Sequence, residues 1–165
     1  MEKRPRIKPE FTNTDQFLEG LSIITLVGLW ALVIYAFSIL PETIPVHFDL
    51  KGQPDGYGSK ASVLFLPILS TVLFIGLTII NRYPHIFNYP VKITAENALR
   101  QYTIATRMIR VLKLIVLGVF FLIEFFTIRS ALGASTGLGI WFLPFILCVV
   151  YIPMGYFIIR AFRHK

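Results

Sequence analysis

Residues Gly20–Pro41 read GLSIITLVGLWALVIYAFSILP, 22 consecutive positions without a charge. At about 1.5 Å per residue, a helix of that length covers the roughly 30 Å hydrocarbon core of a bilayer. Ala61–Asn81 is a second uncharged run, of 21 residues, and Ser130–Ile159 a third, of 30. The third exceeds one straight span; its Gly- and Ser-rich start, Ser130–Gly139, reads as a turn, and Leu138–Ile159 as the last span. A further span falls over Val111–Ala131, where Glu124 interrupts the apolar run and the long stem of Lys113 can snorkel. The predicted fold is an all-α integral membrane protein: a four-helix transmembrane bundle with a short extracytoplasmic β-hairpin-like loop between the first and second spans. The chain then divides into an arm (1–19), spans over 20–40, 61–81, 111–131 and 138–159, the loop 41–60, an interfacial segment and helix (82–110), a short turn (132–137) and a tail (160–165).

Composition agrees. Of the 165 residues, 55% are hydrophobic and 15% charged, against about 25% charged in a soluble domain. The mean hydropathy is +0.69. An ordinary soluble globule and a disordered chain are excluded. The lone thiol, Cys148, cannot form an intrachain disulfide; inside an apolar run it reads as a small buried hydrophobe.

The net charge of +7 does not point to nucleic acid, because the 16 Lys and Arg stand at the ends of the apolar runs. Alternate polar segments carry 13 and 3 of them. The larger set is Lys3, Arg4, Arg6, Lys8, then Arg82 to Lys113, then Arg160, Arg163 and Lys165; the smaller is Lys51, Lys60 and Arg129. Both termini are therefore expected in the cytoplasm and Pro41–Lys60 outside. A cleavable signal peptide is the rival reading of the first span, with Ala36–Ser38 as its small-x-small tripeptide, but the apolar stretch is long for one.

Small residues at Ser22, Thr25, Gly28 and Ala31 recur every third position and suggest a close helix contact. Pro67, Pro144 and Pro153 fall inside spans, where kinks are tolerated. Arg82–Val91, rich in Tyr, Phe and Pro, is expected at the lipid interface. Thr94 reads as an N-cap with Glu96 in the first turn, opening one helix from about Ala95 through the third span. Arg100, Arg107, Arg110 and Lys113 on it are placed to meet anionic lipid headgroups.

The loop Leu40–Lys60, LPETIPVHFDLKGQPDGYGSK, holds most of the chemistry. Pro41 and Pro45 stiffen its entry. Alternation over Val46–Asp49 puts His47 and Asp49 on one strand face, and Gln53-Pro54-Asp55-Gly56 is a turn signal. Gly52, Gly56 and Gly58 permit positive φ. The pattern Pro41-x-x-Ile44-Pro45-x-His47-Phe48, then Gly52-x-Pro54-Asp55-x-Tyr57-Gly58-Ser59-Lys60, resembles the signature of a bacterial multi-pass membrane family, domain of unknown function 1648. That domain also forms the N-terminal part of SdpI-type immunity proteins. The resemblance implies a multi-pass protein of a bacterial cytoplasmic (inner) membrane. SdpI-type proteins carry a further membrane region, for which four spans leave little room, so immunity to a secreted toxic peptide is not the favoured expectation.

The ligand-binding candidates are His47, Asp49, Asp55, Tyr57, Lys60 and Glu124, with His47 as the centre. His47 and Asp49 are the metal candidates, but two groups from one loop fall short of a zinc site. Lys51 stands where an acidic calcium loop needs an oxygen, and no Gly-x-Ser-x-Gly or His-Glu-x-x-His motif occurs. Mutual hydrogen bonding of His47, Asp55 and Lys60 is the simpler role. Glu124 is expected to point into the bundle beside Leu117, Phe120 and Phe121, because an ionised carboxylate facing lipid is costly, and to meet a hydroxyl, a backbone group or a hairpin residue.

The favoured function is a non-enzymatic membrane protein whose ordered outer loop binds a peptide, lipid or partner protein. The alternative is a small transporter or metal-dependent membrane enzyme using Glu124 and His47. No cofactor is expected. Membrane lipids and an extracytoplasmic peptide or membrane-protein partner are; nucleic acid is not, and self-association is left open.

Overall fold

The computed structural model describes residues 4–163. Lys3 and Lys165, counted among the orientation charges, lie outside the described residues. The order of elements is α1 (Asn13–Phe37), β1 (Thr43–Phe48), β2 (Pro54–Ser59), a 3-10 turn (Lys60–Leu64), α2 (Phe65–Ile80), a short 3-10 turn (Pro84–Ile86), α3 (Ala98–Ala131) and α4 (Phe142–Arg163). Four helical stretches are long and apolar enough to cross a membrane, α2 together with its preceding 3-10 turn. This is a multi-pass membrane protein with a two-stranded antiparallel hairpin between its first two membrane helices.

α1 begins seven residues before the uncharged run. Thr12 is its N-cap: the Thr12 hydroxyl accepts from the Asp15 N–H, and Asp15 Oδ2 accepts from the Thr12 N–H at 3.0 Å. This reciprocal capping box satisfies two of the four orphan donors of the helix start. Charged residues enter the helix because partners on α3 await them. The buried positions of α1 are Asp15, Ser22, Leu29, Val33 and Ala36. Four of them stand seven apart, a period that keeps one face on a neighbouring helix. The expected stripe Ser22, Thr25, Gly28, Ala31 is not that face. A spacing of three drifts round a helix of 3.6 residues per turn, and Ala31 at its end is exposed.

α3 is the hub: α1, α2, α4 and β1 all pack on it. It runs unbroken for 34 residues and starts three residues later than read from sequence, with Asn97 at the N-cap. Thr94 caps one step upstream instead: its hydroxyl accepts from the Asn97 N–H and its own N–H donates to Asn97 Oδ1 at 2.9 Å. The Thr94 hydroxyl also holds the exposed Glu96 carboxyl below its ordinary pKa.

Single polar bonds tie the helices together. Trp30 Nε1 donates to Thr71 Oγ1 at 3.0 Å, Asn81 Nδ2 to the Thr106 carbonyl at 3.2 Å, and Gln101 Nε2 to the Ala161 carbonyl at 2.9 Å. Pro67 and Pro144 lie in the first turns of α2 and α4, where an N–H has no helical partner; Pro153 is the interior one. Cys148 is exposed on α4, not buried. α4 packs mainly on α3, so much of its apolar surface has no protein neighbour.

The segment 82–91 is held by the chain itself. Arg4 Nη1 donates to the Phe87 carbonyl at 2.6 Å and the guanidinium lies over the Tyr89 ring. The Tyr89 hydroxyl donates to the Pro84 carbonyl, and burial pushes its phenol above the ordinary pKa.

Candidate functional site

The hairpin is part of the core rather than an appendage. Ile44 at its root is 1% exposed and packs with Leu29, Val33, Leu40, Val63 and Ile128. At the root, the Lys60 N–H donates to the Glu42 carbonyl at 2.9 Å, and Lys60 Nζ pairs with Glu42 Oε1 at 2.8 Å. The tip docks as well: the Leu138 N–H donates to the Gly52 carbonyl at 2.8 Å. Gly52 has φ +74°, and a Cβ there would lie 2.5 Å from the Gly139 nitrogen. Only glycine allows both the left-handed backbone and that approach. The tip thus clasps the α3–α4 connection.

The strands pair Pro45 with Tyr57 and His47 with Gly56, then Phe48 with Pro54. Val46 and Asp55 have no opposite residue, so each marks a bulge. Bulges re-aim side chains, and here they set His47 Nδ1 at 2.5 Å from Asp55 Oδ1. Of the three glycines that permit positive φ, Gly52 adopts it and Gly56 and Gly58 do not. Gly56 instead leaves room for a neighbour: a Cβ there would lie 2.9 Å from that of His47.

The six candidates therefore separate. His47 and Asp55 meet, with side chains 71% and 46% exposed. Tyr57 is exposed on β2 beside them. Asp49 does not join them: β1 ends at Phe48, and the bulges break the alternation that would align it with His47. Its Oδ1 accepts from the N–H groups of Lys51 and Gln53, each at 2.8 Å, and so shapes the tip. Lys60 pairs with Glu42, a residue the sequence reading passed over, and not with His47. Among the described residues no group of three or more His, Cys, Asp or Glu is placed to hold a metal. A carboxylate only accepts, so the contact uses the form of His47 whose hydrogen is on Nδ1. Nε2 of His47 is not used by that contact, and the side chain is 71% exposed.

Glu124 lies apart, beneath the hairpin, and is 3% exposed. It borders a half-open cavity of about 530 Å³ lined by β1, the 3-10 turn, α2 and α3. Its neighbours there include Thr127, Ser62, Val63, Phe65 and Val46. Oε1 of Glu124 is buried and accepts no hydrogen bond among the described residues. Leu117 on the same helix is buried, and Phe120 and Phe121 are half-buried against the core. Arg129 turns away to the Ala134 carbonyl.

At the opposite end of the bundle the structure gathers charges that the sequence reading assigned to lipid headgroups. Asp15 Oδ1 lies 3.3 Å from Arg107 Nε and 3.2 Å from Arg110 Nη1. Glu19 meets Arg110 Nε at 3.4 Å and Lys113 Nζ at 2.5 Å, and Lys113 also donates to Thr78 Oγ1 at 2.9 Å. Lys113 is 2% exposed and sits over the Phe74 ring, so it does not snorkel. The available signal was a pair of matched spacings: acids four apart on α1, bases three apart on α3.

Residues 24–71 match a family described as a domain of unknown function (DUF1648). The match takes in most of α1, the whole hairpin and the start of α2, the segment that carries the motif. An uncharacterized protein of Archaeoglobus fulgidus is 37% identical over 87 residues, a stretch covering 48% of this chain and 48% of that protein. The chain thus spans about half the length of the curated relative it matches, and that relative is archaeal. No solved structure matches the chain.

Proposed function

We propose that this protein is a non-enzymatic membrane-embedded binding protein whose hairpin presents His47 and Asp55 to a peptide, lipid or partner protein outside a cytoplasmic membrane. The observation that carries the reading is the contrast between anchoring and exposure. The hairpin is fixed at root and tip, yet its imidazole–carboxylate pair stands in the open. A pair held only for stability is worth little at such exposure. A rigid scaffold that displays polar groups loses little entropy when a partner binds. Nε2 of His47 is left for a polar group of the partner, and Tyr57 adds an exposed ring on β2.

The charge distribution supports an orientation with both termini in the cytoplasm and the hairpin outside. Sensing or immunity of the SdpI kind would use the same surface. The test places a photoreactive benzoylphenylalanine at Tyr57 in living cells. A discrete adduct is expected, retained in Lys51→Ala and lost in His47→Ala at equal expression. An undiminished adduct in His47→Ala would remove His47 from the site.

A further inference from the structure

We propose that the cavity beneath the hairpin binds a membrane-borne amphiphile whose protonated amine donates to Glu124. Two observations carry this independently of what His47 meets. The first is the cavity: about 530 Å³, within the range of small-molecule sites, and apolar apart from three residues, Glu124, Ser62 and Thr127. The second is Glu124 itself, 97% buried, with Oε1 accepting no hydrogen bond among the described residues. A buried acceptor without a donor is costly, and it is relieved by a group that brings one. Glu124 is the only ionisable residue among those lining the cavity, so no cation of the lining competes for it and nothing there attracts an anion. Ser62 and Thr127 can accept the remaining hydrogens of an ammonium group.

The mouth decides the rest of the ligand. Phe65, at the start of α2, is 64% exposed and Val46 is 46% exposed. Both border the cavity, at the hairpin end of a membrane helix. An apolar mouth at that depth admits a molecule from the bilayer, with its chain against Phe65 and its head toward Glu124. Ionisable residues within membrane helices characteristically face the bundle interior or a cavity rather than lipid, as Glu124 does.

The experiment uses the full chain in phosphatidylcholine nanodiscs, whose headgroups carry no N–H. The probe is dodecylamine with a diazirine on its chain, compared with the matching dodecanol. Adducts from the amine should concentrate on residues 44–48, 62–66 and 123–127 and exceed those from the alcohol about tenfold, the scale of one charged hydrogen bond. Unlabelled dodecylamine should compete and butylamine at equal concentration should not. Glu124→Gln should lower amine labelling to the alcohol level. Leu66→Trp, which fills the cavity and leaves the carboxylate in place, should remove labelling by both. Equal labelling of the unaltered protein by amine and alcohol, or adducts spread over the lipid-facing surface, would overturn the proposal whether or not the variants fold. So would unchanged labelling in folded Glu124→Gln. Competition by butylamine would overturn the membrane-borne part.

Discussion

Removing Glu19 should damage the bundle more than removing Lys113, although the two residues form one pair. The contact cluster between α1 and α3 holds three cations, Arg107, Arg110 and Lys113, and two anions, Asp15 and Glu19. Glu19→Leu leaves three cations facing one anion. Lys113, 2% exposed, then keeps only Thr78 and the Phe74 ring. An uncompensated buried charge of this kind costs about 3–5 kcal/mol. Lys113→Met instead balances the cluster at two and two. Glu19 retains Arg110 at 3.4 Å and some contact with solvent, and the Met chain fills the vacated stem. The lost charged hydrogen bond then costs about 1.5–3 kcal/mol. The double variant leaves Arg107 and Arg110 sharing Asp15 but no buried lysine stripped of its carboxylate, so its cost should fall about 2–3 kcal/mol short of the sum. Unfolding by SDS in mixed micelles, followed by the fluorescence of Trp30 and Trp141, measures all four corners of the cycle. A larger loss in Lys113→Met than in Glu19→Leu, or additivity within about 0.5 kcal/mol, would refute the reasoning.

Gly52→Ala should cost about 2–3 kcal/mol, from a left-handed residue with a Cβ plus the weakened Leu138 hydrogen bond. The loss should appear as faster amide exchange at Leu138 and over 49–53, and unchanged exchange there would refute the clasp. Topology is open to a thiol test: in a Cys148→Ala background, an impermeant reagent applied to intact cells should label Gln53→Cys and not His85→Cys, and the reverse pattern would invert the proposed orientation.

The four membrane helices were legible because lipid demands long uncharged runs, and Gly20–Pro41 and Ala61–Asn81 supply them without interruption. The packing face of α1 was not. Its residues are apolar almost all round, so the seven-residue spacing of Asp15, Ser22, Leu29 and Ala36 is hidden until a neighbour selects one side. Lys113 looked like a surface anchor because a sequence shows its distance from the end of a span but not which residues of α1 stand level with it. The loop was readable as an ordered hairpin from its Pro and Gly. The partnership of His47 with Asp55 rather than Asp49 depends on two bulges, and strand alternation cannot show an inserted residue. Glu124 was legible as an inward carboxylate, since lipid excludes it. The cavity beside it was not, because it arises from how β1 lies over α2 and α3.

α3 has 34 residues, a rod of about 51 Å, with no proline and only Gly118 in its interior. Glu124 and Lys113 ride on it eleven positions apart, about 16 Å along its axis. The floor of the hairpin cavity and the charge cluster at the far end are therefore mounted on one stiff shaft. A slide or turn of that shaft cannot be local. If something seated under the hairpin shifts Glu124, the same motion reaches Arg107, Arg110 and Lys113, which must carry α1 with them or let go of Asp15 and Glu19.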